Sequence, residues 1–197
     1  IKEYTDCCNF KFTFLHAPHN MGYVRNYQRA FAACHGKYIA IMEGDDLWTS
    51  PDHIQRHIDF LEQHPECSMS FNRHLRLFED QDREEILAWK SDQDYEYITT
   101  EQMIGQNRIG NLSCCVFRTE LIHKLDPSIF DIEFADWLLG TLMGQYGYLA
   151  YQKEVTSTYR IHDNGQWSRM SQQEQALKMI ELLKIYRNFI SDKYTQH

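Results

Sequence analysis

From Phe10 to Phe78 the apolar residues switch repeatedly between a two-residue and a helical period, and nothing else in the chain restricts its fold as much. "FKFTFLH" (Phe10 to His16) alternates and reads as a strand. "YVRNYQRAFAAC" (Tyr23 to Cys34) carries Val24, Tyr27, Ala30, Phe31 and Cys34 at helical spacing, and Gly36 ends it. "KYIAIM" (Lys37 to Met42) lies between Gly36 and Gly44 and fits a strand buried on both faces. In "SPDHIQRHIDFLEQHP" Ser50 caps a helix, Pro51 takes its first position, and Ile54, Ile58 and Leu61 share a face. "CSMSFNRHLRLF" (Cys67 to Phe78) alternates again. Strand, helix, strand, helix, strand is the order of an α/β layered fold with a mostly parallel sheet flanked by helices. Ligands bind such sheets at the carboxyl ends of strands. Glu43, Asp45 and Asp46 follow the Lys37 to Met42 strand at that end.

The acidic middle, Glu79 to Tyr97, is expected to be a solvated excursion with a helical turn near Ile86 to Trp89. A short helix then precedes a strand at Ser113 to Phe117. "FADWLLGTLMGQYG" (Phe134 to Gly147) reads as a helix with Leu138, Leu142 and Tyr146 on one side. "YLAYQKEVTSTYRIHDNGQWS" supplies one or two strands and an ordered loop. An amphipathic helix over 171–190 closes the chain, with Ala176, Ile180, Leu183, Tyr186 and Ile190 on its apolar side. His53, His57 and His64 are expected to be exposed, Trp48 to be core, and Trp137 to be open to a role in an acceptor wall. Trp167 sits in a polar loop that could close over a donor.

At 197 residues the chain suits a single domain over 1–197. A formal net charge of −8 argues against a nucleic-acid partner. No run approaches the roughly 20 apolar residues of a transmembrane helix, and no signal peptide is recognisable. Cys7, Cys8, Cys34, Cys67, Cys114 and Cys115 form neither a metal framework nor a secreted disulfide pattern. Reduced thiols in a cytoplasmic protein are therefore expected.

Three carboxylates around one glycine repel one another unless something positive lies between them. "EGDD" is thus either a solvated turn ahead of a helix or a cation site. "NMGYVRN" (Asn20 to Asn26) joins a strand to a helix, where backbone N–H groups can face a nucleotide. Asp136 in "FADW" is either a capping charge or a general base. Arg160 and His162 in "YRIH" offer a cation and an imidazole, or an ordinary surface ion pair and a loop residue.

In this order the segments "NMGYVRN", "GKYIAIMEGDDLWTSPDHIQRHIDFLEQHPE", "FADWLLGTLMGQYGYLAY" and "YRIHDNGQWS" resemble the family 2 inverting glycosyltransferases of the GT-A fold. The likeness is strongest to bacterial members that modify cell-surface polysaccharide or lipopolysaccharide. The resemblance implies a nucleotide-diphospho-sugar transferase fold, Rossmann-like, with Mn²⁺ or Mg²⁺ as cofactor. It implies a nucleotide-diphosphate sugar donor and a glycan or lipid-linked acceptor. The protein would work in the cytoplasm, with room for peripheral association at the inner face of the membrane. By the same resemblance Glu43 takes the first acidic place of the family's D-x-D motif, near the ribose, and Asp45 the second, on the metal. Asp46 supports the metal or the sugar, and His162 adds a metal or diphosphate contact. Asn20, Arg25 and Asn26 line the nucleotide, and Asp136 is the catalytic base.

The family opens with two strands, the first ending in a proline–tyrosine–asparagine turn and the second in an aspartate-rich motif. Neither is present, and Ile1 to Asp6 reads as the tail of the helix that follows them. The expectation is a piece of a longer protein whose sheet lacks its first two strands. A non-catalytic relative serving as a scaffold is the alternative. A metal-dependent nucleotidyltransferase would need a glycine-rich basic phosphate loop that the sequence lacks.

Overall fold

The computed structural model describes residues 10–133, 135–163 and 165–194, so Ile1 to Asp6, Cys7, Cys8, Phe134 and Asn164 lie outside it. The described elements are, in chain order, α1 (Tyr23–Ala33), β1 (Tyr38–Ala40), β2 (Leu47–Trp48), α2 (His53–Gln63), β3 (Cys67–Phe78) and β4 (Arg83–Ile86). They continue with β5 (Tyr95–Ile98), α3 (Thr100–Gly105), β6 (Cys115–Arg118), α4 (Thr119–Ile122), α5 (Asp136–Gly144), β7 (Tyr148–Ile161) and α6 (Gln172–Tyr186).

One sheet runs β1-β6-β3-β7-β2, with β4 added to β3 and β5 to β7. The long central pair β3 and β7 is parallel, from Cys67 opposite Tyr148 to Phe78 opposite Ile161. The other ladders are antiparallel, which corrects the mostly parallel sheet expected from the sequence. The helix-linked strands β1, β3 and β7 do run the same way. However, β6 inserts between β1 and β3 in the opposite sense, β4 returns on β3 by a short connection that only antiparallel pairing allows, and β5 adds antiparallel to β7.

The sheet is covered on both sides. One face of β3, carried by Met69 and Phe71, joins α5 and β6 residues such as Leu138, Leu142 and Phe117 in the main core. The other face carries Ser70 and Asn72 to α2, where both bond to His57. Burial on two faces explains why β3 is nearly continuously buried from Cys67 to Asn72. Helix α5 is buried almost all round, from Trp137 to Gly144, so its sequence shows no polar stripe. Gly147 closes the turn into β7, where an added Cβ would lie 2.5 Å from the Glu66 carbonyl oxygen.

Several local expectations are corrected. Phe10 to His16 forms no strand, because no neighbouring strand among the described residues offers it a ladder. Its alternating rings pack on one another instead, with Phe10 and Phe12 centroids 4.8 Å apart, and Phe10 stays 66% exposed. The region Ile86 to Trp89 forms no helical turn: β4 pairs with β3, and β5 with β7. His53 and His57 are buried, not exposed, and Ile54 is turned to solvent. The polar floor of β3 and β7 takes the imidazoles, so α2 is rotated from the face that apolar spacing alone selects. On α6 the capping box of Ser171 and Glu174 forms, yet Leu182 and Tyr186 face the core while Ile180 remains 52% exposed. Trp137 is core, its indole N–H donating to the Met103 carbonyl. The described cysteines, Cys34, Cys67, Cys114 and Cys115, are free thiols. Among the described residues no helix is long and apolar enough to cross a membrane.

Candidate active site

Five of the residues singled out in the sequence meet at one edge of the sheet. Glu43, Asp45 and Asp46 follow β1, and His162 follows β7. Strand β6 runs the opposite way, so its leading residues, Asn111 to Cys114, arrive at the same edge. Helix α5 leads into β7, which brings its first residue, Asp136, there as well.

The carboxylates are not equivalent. Asp46 is only 7% exposed, and its oxygens are taken: Oδ2 accepts from Asn111 Nδ2 at 2.8 Å and Ser113 Oγ at 2.5 Å, and Oδ1 from the Arg160 amide at 3.1 Å. It ties the turn after β1 to β6 and β7. Glu43 is half-buried behind it, accepting from the Tyr27 hydroxyl at 2.9 Å and from Asn111 Nδ2 at 3.3 Å. Burial pushes its carboxyl up to about 7, helped by the negative charge of Asp46, Asp136 and Asp45 and opposed by the Tyr27 hydrogen bond. Tyr27 is raised in turn, by burial and by Glu43. Tyr159 rises to about 12, through burial and then the same carboxylates.

Asp45 faces outward, its side chain 52% exposed, and His162 Nε2 lies 3.2 Å from its Oδ2. One carboxylate oxygen and one imidazole nitrogen, both reachable from solvent, form a donor set that suits a divalent cation completed by phosphate oxygens and water. Among the described residues no group of three or more His, Cys, Asp or Glu side chains is arranged to hold a metal by itself. The residues present therefore fit a cation that a ligand helps to bind.

Asp136 opens α5, and its carboxylate accepts from Asn107 Nδ2 at 2.8 Å. Burial raises its pKa, while the Asn107 amide and the N–H groups of Trp137, Asp136 and Gly110 hold the shift back. A raised but hydrogen-bonded carboxylate is a fixed, stronger proton acceptor than a solvated one.

Asn20, Arg25 and Asn26 make their contacts elsewhere. Asn20 Oδ1 accepts from the Gly22 amide, which shapes the entry to α1. Arg25 pairs with Asp131 at 2.7 Å, and the Asn26 side chain is exposed. Arg160 is held by Glu79, the ordinary ion pair that the sequence left open. The residues of α1 and of the segment before β6 that do reach the acids, Tyr27, Asn107, Asn111 and Ser113, carried no role in the sequence reading. For Asn107, Asn111 and Ser113 the one signal was "QNRIGNLS", a polar, amide-rich run set directly before a buried strand.

The mixed sheet flanked by helices is the GT-A glycosyltransferase fold. S. aureus TarS, residues 1–349, shares it with a TM-score of 0.58 at 12% identity, over 94% of this chain and 50% of that one. Residues 1–125 match the family described as Glycosyl transferase family 2, and the chain belongs to that family. It is 27% identical over 155 residues to the uncharacterized proteins Rv1520 of Mycobacterium tuberculosis and Mb1547 of Mycobacterium bovis. Those matches cover 75% of this chain and 41% of each relative, so the chain spans about two fifths of their length.

Proposed function

We propose that this chain is the catalytic domain of a metal-dependent inverting glycosyltransferase. It moves a sugar, hexosyl or related, from a nucleotide-diphosphate donor to a hydroxyl of a glycan or lipid-linked acceptor in bacterial surface polysaccharide or lipopolysaccharide synthesis. The observation that carries the reading is the Asp136 carboxylate, raised by burial and aimed by Asn107, at the same sheet edge as the outward-facing Asp45 and His162.

In this reading Asp45 and His162 would hold Mn²⁺ or Mg²⁺, and Asp46 would support them through its fixed turn. Such a cation would supply positive charge that stabilises a departing diphosphate. Glu43 lies towards the ribose, and Asn20, Arg25 and Asn26 border the nucleotide. Asp136 takes the acceptor hydroxyl proton as that oxygen bonds to the anomeric carbon. The bond from that carbon to the diphosphate oxygen breaks, and the nucleoside diphosphate leaves with its electrons. One displacement on the opposite face inverts the centre. The protein acts in the cytoplasm, with room for peripheral association at the inner face of the membrane.

The test is binding and transfer with the full-length protein, across a panel of nucleotide sugars with and without Mn²⁺, beside Asp45→Ala and Asp136→Asn. Metal-dependent binding lost in Asp45→Ala, with Asp136→Asn binding donor but not turning over, is the expected pattern. Failure of every nucleotide sugar to bind would instead identify a non-catalytic scaffold relative.

A further inference from the structure

Beside Asn107 and Gly110, the residues whose N–H groups hold Asp136, lies a cavity of about 520 Å³. Its wall is basic. The chain carries a formal net charge of −8, yet Arg73, Arg76, Lys90 and Arg108 line this cavity against a single carboxylate, Glu96. Glu96 pairs with Arg108 at 3.7 Å, which leaves Arg73, Arg76 and Lys90 as further cations of the wall. Arg76 makes no side-chain hydrogen bond or ion pair among the described residues. Trp89 and Tyr151 add aromatic faces, their rings 5.3 Å apart, with the Arg73 guanidinium 5.9 Å from the Trp89 centroid.

Two buried nitrogens of this wall have no partner, Arg73 Nε and His74 Nε2, and His74 as a whole is only 7% exposed. Buried polar atoms are nearly always paired, and a guanidinium Nε–H can only donate. Orphans of this kind beside unneutralised guanidinium groups are completed by a ligand that brings acceptor oxygens and negative charge. Guanidinium forks match phosphate and carboxylate oxygens in pairs, and aromatic faces match the apolar face of a sugar ring.

We propose that this cavity is the acceptor site and that the acceptor is an anionic glycan. Its phosphate or carboxylate group is held by Arg73, Arg76 and Arg108 with the His74 imidazole, and a sugar ring lies on Trp89. The segment 107–110 then serves two ends, with Asn107 lining the acceptor cavity and fixing the base that deprotonates it. The assignment rests on the glycosyltransferase reading above and adds the charge of the acceptor to it.

The experiment is a tryptophan-fluorescence titration of the full-length protein with glycerol 3-phosphate, with glucuronate and with uncharged glucose, on wild type, Arg76→Gln and Arg108→Gln. Nucleoside diphosphate binding with Mn²⁺ is measured on the same samples. The expected result is saturable binding of an anion but not of glucose, weakened about tenfold by Arg76→Gln, as for loss of one hydrogen bond to a charged group. Nucleoside diphosphate binding should be unchanged in both variants. Preference for glycerol 3-phosphate assigns a phosphodiester acceptor, and preference for glucuronate assigns a uronic acid acceptor. The proposal is overturned alone if nucleoside diphosphate binds while neither anion outbinds glucose, or if Arg76→Gln and Arg108→Gln bind the anions as wild type does. If no nucleoside diphosphate binds, the transferase reading falls and the acceptor role with it, whatever the anions do.

Discussion

Lowering the pH should destabilise this protein through His57, whose folded-state imidazole refuses a proton that the unfolded chain takes up. The imidazole is 1% exposed. Nδ1 accepts from Gln152 Nε2 at 3.2 Å and meets Ser70 Oγ at 2.9 Å, and Nε2 faces Asn72 Oδ1 at 3.2 Å. Ser70 Oγ is itself an acceptor from Gln152, so its proton points to His57. The network thus assigns the neutral Nε2–H tautomer, and a second proton on Nδ1 would meet donors. Burial, then the neighbouring His53, lowers the pKa of His57 from 6.5 to about 3. The unfolded chain therefore binds the proton that the folded chain refuses, between those two values. Stability contributed by the neutral form is complete above 6.5 and falls as pH drops towards 3, by about 1.4 kcal/mol per unit. At pH 5 the loss is about 2 kcal/mol, a sizeable part of a typical 5–15 kcal/mol. Urea denaturation at pH 7 and pH 5 on wild type and His57→Gln measures it. The stability difference between the two proteins should shift by about 2 kcal/mol in favour of the variant at the lower pH. A difference that stays constant across that interval would refute the neutral buried imidazole.

Asp46→Ala should cost on the order of 3 kcal/mol, because it strands the Asn111, Ser113 and Arg160 donors. The half-exposed Asp45→Ala should stay within about 0.5 kcal/mol in the same urea titration. Asn107→Ala removes a bond that favours the ionised base. The acidic limb of the pH–rate profile should move to higher pH, with kcat at that limb about tenfold lower, and a profile identical to wild type would dismiss Asn107 as a positioning residue. Gly147→Ala places a methyl 2.5 Å from the Glu66 carbonyl oxygen, a backbone atom that cannot swing away, so a loss of about 1–3 kcal/mol is expected from thermal unfolding.

Local chemistry was enough for much of this protein. The change of apolar period placed α1, α2 and β3 almost to their ends, because helix and strand each need a repeating face to bury. The apolar spacing also placed the start of α6 at 171, where a capping box of Ser171 and Glu174 closes the helix entry. The acidic turn after β1 and the aspartate that opens α5 were also legible, as motifs whose spacing the backbone fixes locally. Tertiary structure alone decided the rest. Asp45 and His162 stand 117 residues apart, and Asn107 and Asp136 stand 29 apart. Strand order and sense bring these groups to one edge, and neither is written in any local period. The same holds for His53 and His57, which looked like surface residues until β3 and β7 supplied partners for them. Phe10 to His16 shows the converse, an alternating pattern that remains unpaired without a neighbouring ladder. A periodic face states what a segment can bury, whereas partner, direction and register are set by contacts distant in sequence.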